Sequence, residues 1–183
     1  ARVRFALGRY DNSRPLIIDP TLTYGSPIGN TGFDEAFRVA VDSSGDAYIV
    51  GDTKSTSIPG TSPTRSGSNA DAFVLKISRN GTRQWLTYLG GTPDNPGPGD
   101  SGDDAALDVA LDGSGRPYIT GVTNSDDFPV TDSAGQTVKS TAQDAFLAAL
   151  GTNGTPRWVT YVGNTTVDYG TAVAAEPDGY VYV

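Results

Sequence analysis

Short apolar runs recur along the chain, separated by clusters of Gly, Pro, Asp, Asn and Ser. Representative runs are Phe37-Arg38-Val39-Ala40-Val41, Ala47-Tyr48-Ile49-Val50-Gly51, Ala72-Phe73-Val74-Leu75-Lys76-Ile77 and Gln84-Trp85-Leu86-Thr87-Tyr88-Leu89. They are too short for amphipathic helices and rich in β-branched and aromatic residues, so they predict strands. Between the first two lies Asp42-Ser43-Ser44-Gly45-Asp46, a hairpin connection in which Asp bonds the turn backbone and Gly supplies positive φ. Asn80-Gly81 and Asn153-Gly154 are further hairpin signals. Phe73, Leu75 and Ile77 alternate with Ala72 and Val74, so this strand is apolar on both faces. Such a strand needs a packed layer above and below.

The runs belong to an internal repeat. Trp85-Leu86-Thr87-Tyr88-Leu89-Gly90-Gly91 returns as Trp158-Val159-Thr160-Tyr161-Val162-Gly163-Asn164, with a shorter copy at Leu22-Thr23-Tyr24. Val39-Ala40-Val41-Asp42 and its hairpin return at Val109-Ala110-Leu111-Asp112 and at Val173-Ala174-Ala175-Glu176. Asp71-Ala72-Phe73-Val74-Leu75 is matched by Asp144-Ala145-Phe146-Leu147-Ala148. The period varies, as loop insertions between constant strands produce, and each unit holds four strand candidates. Small four-stranded sheets stacked face to face are propeller blades. The predicted fold is therefore all-β, with four-stranded antiparallel blades in an incomplete propeller of two full repeats and part of a third. The expected organisation is 1–20 as the end of a preceding β-module or a strand arm, 21–91 as blade repeat one, 92–164 as repeat two, and 165–183 as the start of repeat three, truncated or completed by another chain.

Composition narrows the function. With 23 Gly and 12 Pro but only three Lys and two Glu (Glu35 and Glu176), helix-surface residues are scarce. Thirteen basic against 21 acidic residues give a net charge of −8, which repels phosphate backbones, so no nucleic-acid partner is expected. No apolar stretch approaches the ~20 residues of a membrane-spanning helix. Ala1 begins directly in strand-like sequence without a signal peptide, and the N-terminus is read as processed or trimmed. The absence of His and Cys removes the usual zinc sites, a Ser-His-Asp triad and a thiolate nucleophile. No catalytic residue is therefore assigned, and the chain is not expected to be an enzyme.

Taken together, the Tyr88-Leu89-Gly90-Gly91 run, the phrase from Val39 to Thr53 and Asp71-Ala72-Phe73-Val74-Leu75-Lys76 resemble the bacterial SBBP, or seven-bladed β-propeller, repeat. Gly121-Val122-Thr123-Asn124-Ser125-Asp126-Asp127-Phe128-Pro129 is similar to that family's loop after the second strand. The resemblance covers residues 21–183, and residues 10–20 look like the end of the β-rich module that often precedes such propellers. It implies a scaffold in large secreted bacterial proteins, mostly without assigned activity, and hence an extracellular or cell-surface location. Here the blade count departs from the family, because two and a part cannot close a ring of four to eight. The chain is then a fragment, or other chains or missing blades of the same protein complete its open strand edges.

Several residues are candidate sites. Asp34, Asp104 and Asp168 each precede the repeated Ala40, Ala110 and Ala174 by the same spacing, and a turn-capping carboxylate explains them better than a repeated metal or ligand position. Asp94, Asp100, Asp103 and Asp104 form a carboxylate-rich loop that would suit Ca²⁺, although its spacing is not that of an EF-hand, the nonapeptide β-helix repeat is absent, and a solvated insertion accounts for it better. No cofactor other than this Ca²⁺ is considered. Asn80, Asn153 and Asn164 begin N-x-Ser/Thr sequons and are glycosylation candidates, but Asn-Gly is wanted at the first two for the turn itself. Trp85 and Trp158, and Tyr88 and Tyr161, repeat in both blades, which points to core or inter-blade packing ahead of sugar binding. The leading expectation is a non-catalytic structural or adhesion segment, with a surface-filament subunit as its sharper form. The alternatives are a carbohydrate-active or carbohydrate-binding propeller using Asp residues, and a Ca²⁺-dependent binding module.

Overall fold

The computed structural model describes residues 25–59, 65, 67–92, 102–131 and 135–183. The expectations for residues 1–20 and for Asp94 and Asp100 lie outside the described residues. Within them the chain is all-β, with no helix. Strands β1 (Asp34–Val41), β2 (Ala47–Thr53), β3 (Asp71–Ile77) and β4 (Arg83–Leu89) form one antiparallel sheet in sequence order. Strands β5 (Asp104–Leu111), β6 (Pro117–Thr123), β7 (Asp144–Leu150) and β8 (Pro156–Val162) form a second. A short pair, β9 (Ala174–Ala175) and β10 (Val181–Tyr182), begins a third. The sheets do not close into a barrel, and the arrangement is that of an incomplete propeller.

Among the described residues, the five hairpins share one loop geometry. In the first, Gly45 N–H donates to the Asp42 carbonyl (2.9 Å) and Asp42 N–H to the Asp46 carbonyl (3.0 Å). The same two bonds recur around Gly81, Gly115, Gly154 and Gly179, each at positive φ. This is a type I turn closed by a left-handed bulge residue, which Gly occupies without the Cβ penalty. The positive-φ Gly at the same place in each turn thus fixes both loop length and strand register.

β1 and β5 start earlier than their apolar runs, because pairing extends back to the aspartates, Asp34 to Thr53 and Asp104 to Thr123. Each strand carries a bulge, at Phe37 and at Leu107, which an alternation pattern does not reveal. The bulge brings backbone onto Gly51 and Gly121, whose added Cβ would lie 1.8 Å from the Glu35 carbonyl oxygen and 1.9 Å from that of Ala105.

The core sits mainly between the two complete blades. Tyr48, Val50, Ala72, Val74 and Leu89 of the first pack on Val109, Ile119, Phe146, Ala148, Leu150, Val159 and Tyr161 of the second. Phe73, Leu75, Ile77 and Leu86 face the other side of the first blade, where Ile58 and Ile28 cover them. Period-2 alternation therefore serves two separate apolar layers, which is why β3 and β7 read as continuous apolar runs. Among the described residues no helix is long and apolar enough to cross a membrane.

Candidate functional site

The place where repeated and blade-specific chemistry converge is the joint between the first two blades. At its hairpin end, Asp42 Oδ1 accepts the Ser44 and Asp46 amides (2.9 and 3.0 Å) and thereby shapes its own turn. Burial is the largest single influence on its carboxyl and raises it, but the Asp46 and Ser44 amides together with Lys76 hold it below the usual carboxylate range. Asp112 repeats the arrangement with Ser114 and Arg116. The Tyr48 hydroxyl then reaches across the joint to the Gly115 carbonyl (3.1 Å), and Tyr118 reaches the Gly179 carbonyl in the same way (3.5 Å). Trp85 completes the contact: its Nε1–H donates to the Thr152 carbonyl (2.9 Å), while its ring covers Gly154, leaving no room for a Cβ. Thr87 Oγ1–H donates to the Gly154 carbonyl (2.6 Å). One blade thus holds both hairpin tips of the next.

The cation at this end comes from different strands in the two blades. Lys76 of β3 lies 3.4 Å from Asp42 and 3.3 Å from Asp46, with its ammonium 4.7 Å from the Tyr48 ring centroid. The equivalent of Lys76 in the second blade is Ala149, and Arg116 of the hairpin supplies the charge to Asp112 instead (2.5 Å). Between the tips Asp42–Ser44 and Asp112–Gly115 lies an open cleft of about 360 Å³ with Val41 and Leu111 in its wall.

At the opposite end of the joint, the repeated aspartates tie successive blades together. Asp34 accepts the hydroxyls of Thr53 and Ser55 and the Asn30 amide. Asp104 Oδ2 accepts Ser125 Oγ–H (2.8 Å) and the Gly91 amide (3.2 Å), and Asp168 accepts the Asn164 amide (2.9 Å). The Asp104 and Asp168 amides donate back to the carbonyls of Ala70 and Gln143, just before the third strand of the preceding blade. Asp104 is 1% exposed, and burial pushes its carboxyl up to about 7. The Thr and Ser partners escaped the sequence reading, although Thr53-Lys54-Ser55 and Thr123-Asn124-Ser125 recur at equivalent positions.

Beside this clamp stands an acidic group confined to one joint. Glu35 and Asp52 are cross-strand partners, and Asp103 accepts the Ala70 amide (2.7 Å) and pairs with Lys54 (3.4 Å). Burial, with Glu35 next in effect, pushes Asp52 up to about 6. Ala105 and Val122 occupy the positions of Glu35 and Asp52 in the second blade. Nearby, Arg65 and Asp71 form a buried pair (2.8 Å) that pins the loop after β2. Among the described residues no group of three or more acidic side chains is placed to hold a metal ion.

The remaining candidates fall as follows. Asn80, Asn153 and Asn164 are exposed, and Asn80 and Asn153 use their side-chain carbonyls to accept the Thr82 and Thr155 amides of their own turns. Trp158 is half-buried beside Tyr118, Tyr161 is buried against Phe128, and Tyr88 packs on the Ile58 layer. Compared with known proteins, the chain matches no family model and no curated protein sequence.

Proposed function

We propose that this chain is a non-catalytic structural or adhesion segment of an extracellular bacterial propeller of the SBBP repeat type, acting through blade faces that further blades or another chain complete. One comparison carries the reading. Val39 on β1 is 61% exposed, whereas Val109, its counterpart on β5, is 7% exposed beneath the first blade. Tyr182 is likewise 57% exposed, while its counterparts Tyr48 and Tyr118 are buried by the next hairpin. The same sequence positions are apolar in each repeat, so the exposed copies offer surface suited to a neighbouring blade. Light scattering over a range of concentrations tests this. The chain is expected to associate, and Val39→Glu with Val41→Glu to weaken association at least tenfold, as burying two unpaired charges requires. A monodisperse, folded monomer at every concentration would overturn the assembly reading.

The group around Asp52 favours a second reading, a carbohydrate-active site. A carboxyl raised by burial to about 6 beside a second carboxyl is the kind of pairing that acid–base glycoside chemistry uses. Under this reading, Asp52→Asn abolishes polysaccharide hydrolysis without lowering the melting temperature. A wild-type chain that turns over no polysaccharide excludes it.

A further inference from the structure

Asparagine precedes glycine at Asn80 and Asn153, which the repeat places at the tips of the β3–β4 and β7–β8 hairpins. Asn-Gly is the pair most open to attack by the backbone on its own side chain. Glycine brings no side chain to crowd its nitrogen and leaves the backbone free to rotate. The two tips are built alike. Gly81 N–H donates to the Ser78 carbonyl (2.8 Å) and Gly154 N–H to that of Gly151 (2.9 Å). Each asparagine side-chain carbonyl accepts the amide two residues on, from Thr82 at 3.3 Å and from Thr155 at 3.2 Å.

Two things separate them. The first sheet grips the second tip, through Trp85 Nε1–H on the Thr152 carbonyl and Thr87 Oγ1–H on that of Gly154. The indole also covers Gly154, which is buried, whereas Gly81 is half-buried. Among the described residues no other sheet bonds to the first tip; Arg79 N–H, which donates to Asp46 Oδ1 (3.1 Å), ties it to its own sheet. The second difference is chemical. Ser78 Oγ–H donates to Asn80 Oδ1, so that oxygen receives two donors, while Gly151 offers Asn153 no such hydroxyl.

We propose that Asn80 is a site of spontaneous deamidation, activated by Ser78, and that the Trp85–Thr87 clamp guards its twin Asn153 against the same reaction.

The turn bond from Gly81 to Ser78 first opens locally. Gly81 N–H then gives its proton to solvent, and the nitrogen attacks Asn80 Cγ. The carbonyl electron pair moves onto Oδ1, where the Ser78 hydroxyl stabilises it as an oxyanion-hole donor does. Its return breaks the bond from Cγ to Nδ2, which takes up a proton and leaves as ammonia. Water opens the resulting five-membered imide at either carbonyl, giving aspartate or isoaspartate. The net change is water consumed and ammonia released. Either product puts a negative charge on the tip, and isoaspartate adds a methylene to the backbone of a turn of fixed length. On the assembly reading above, a sheet seated on the first as the first sits on the second would meet that charge; the site assignment itself needs no partner.

Peptide mass mapping with isoaspartate detection tests this on the folded chain, incubated at mildly alkaline pH and diluted until light scattering shows one species. Asn80 should convert at least about tenfold faster than Asn153, as two extra hydrogen bonds closing the second tip require. In urea the two rates should converge, since both sites read Asn-Gly-Thr. Trp85→Phe with Thr87→Val keeps an aromatic ring but removes both donors; it should speed Asn153 several-fold and leave Asn80 unchanged. Ser78→Ala should slow Asn80 several-fold, with Asn153 as its internal reference. Equal folded-state rates at the two tips, an Asn153 that stays slow without the clamp, or a faster Asn80 in Ser78→Ala would each sink the assignment. None of these readouts depends on association, so they stand or fall apart from the assembly test.

Discussion

Gly121→Ala is expected to destabilise the second blade by about 3 kcal/mol or more, read as a lower urea midpoint. The new Cβ would stand 1.9 Å from the Ala105 carbonyl oxygen and 2.9 Å from Ala106 Cα. Both are backbone atoms of β5, fixed by pairing on either side of the bulge, so no rotamer change relieves the overlap. The strand must separate or the bulge must move, and each breaks ladder bonds. Gly51 stands in the same relation to Glu35 and should respond alike. Gly135→Ala is the control: nothing lies within 4 Å of its added Cβ, so the midpoint should hold or rise slightly. Equal losses at Gly121 and Gly135 would refute the steric account.

The second large effect is expected at Phe146. Its ring is 0% exposed and packs 4.8 Å from Phe128, with its face toward the first blade. Phe146→Ala should cost about 4 kcal/mol, the sum of lost transfer energy and the cavity left behind. Because that cavity opens between two sheets, both blades should lose stability together, in one transition with an unchanged urea slope. Separate transitions would show instead that the blades fold as independent units.

The contrast between these two sites bears on what the sequence makes legible. Phe146 is visible as a core residue because it recurs with Phe73 in an apolar run. The hairpins are equally visible, since each carries one Gly at the position that needs a left-handed backbone. Gly51 and Gly121 also recur, but their reason is a bulge on the neighbouring strand, and alternation of residue types carries no mark of an extra residue in a ladder. Exposure is harder still. Val39 and Val109 sit in near-identical phrases, and their opposite burial follows from position in the arc, which local sequence does not encode. The raised carboxyl at Asp104 has the same origin, since its motif is shared and its enclosure is not. Of the candidate site, the repeated aspartates were legible from their spacing. The Arg65–Asp71 pair was not, because nothing in its loop announces which Arg turns inward.

The exchanged cation at the hairpin end has a consequence for how such a chain can be recombined. In one blade the charge rides on the third strand as Lys76, in the other on the turn as Arg116. Transplanting the second turn into the first blade would crowd two cations around one tyrosine; the reverse graft would leave an aspartate and a tyrosine with no counter-charge. The smallest piece that can be moved intact is therefore a whole sheet. Duplicated copies can drift apart in sequence provided each keeps its own solution to the same charge balance.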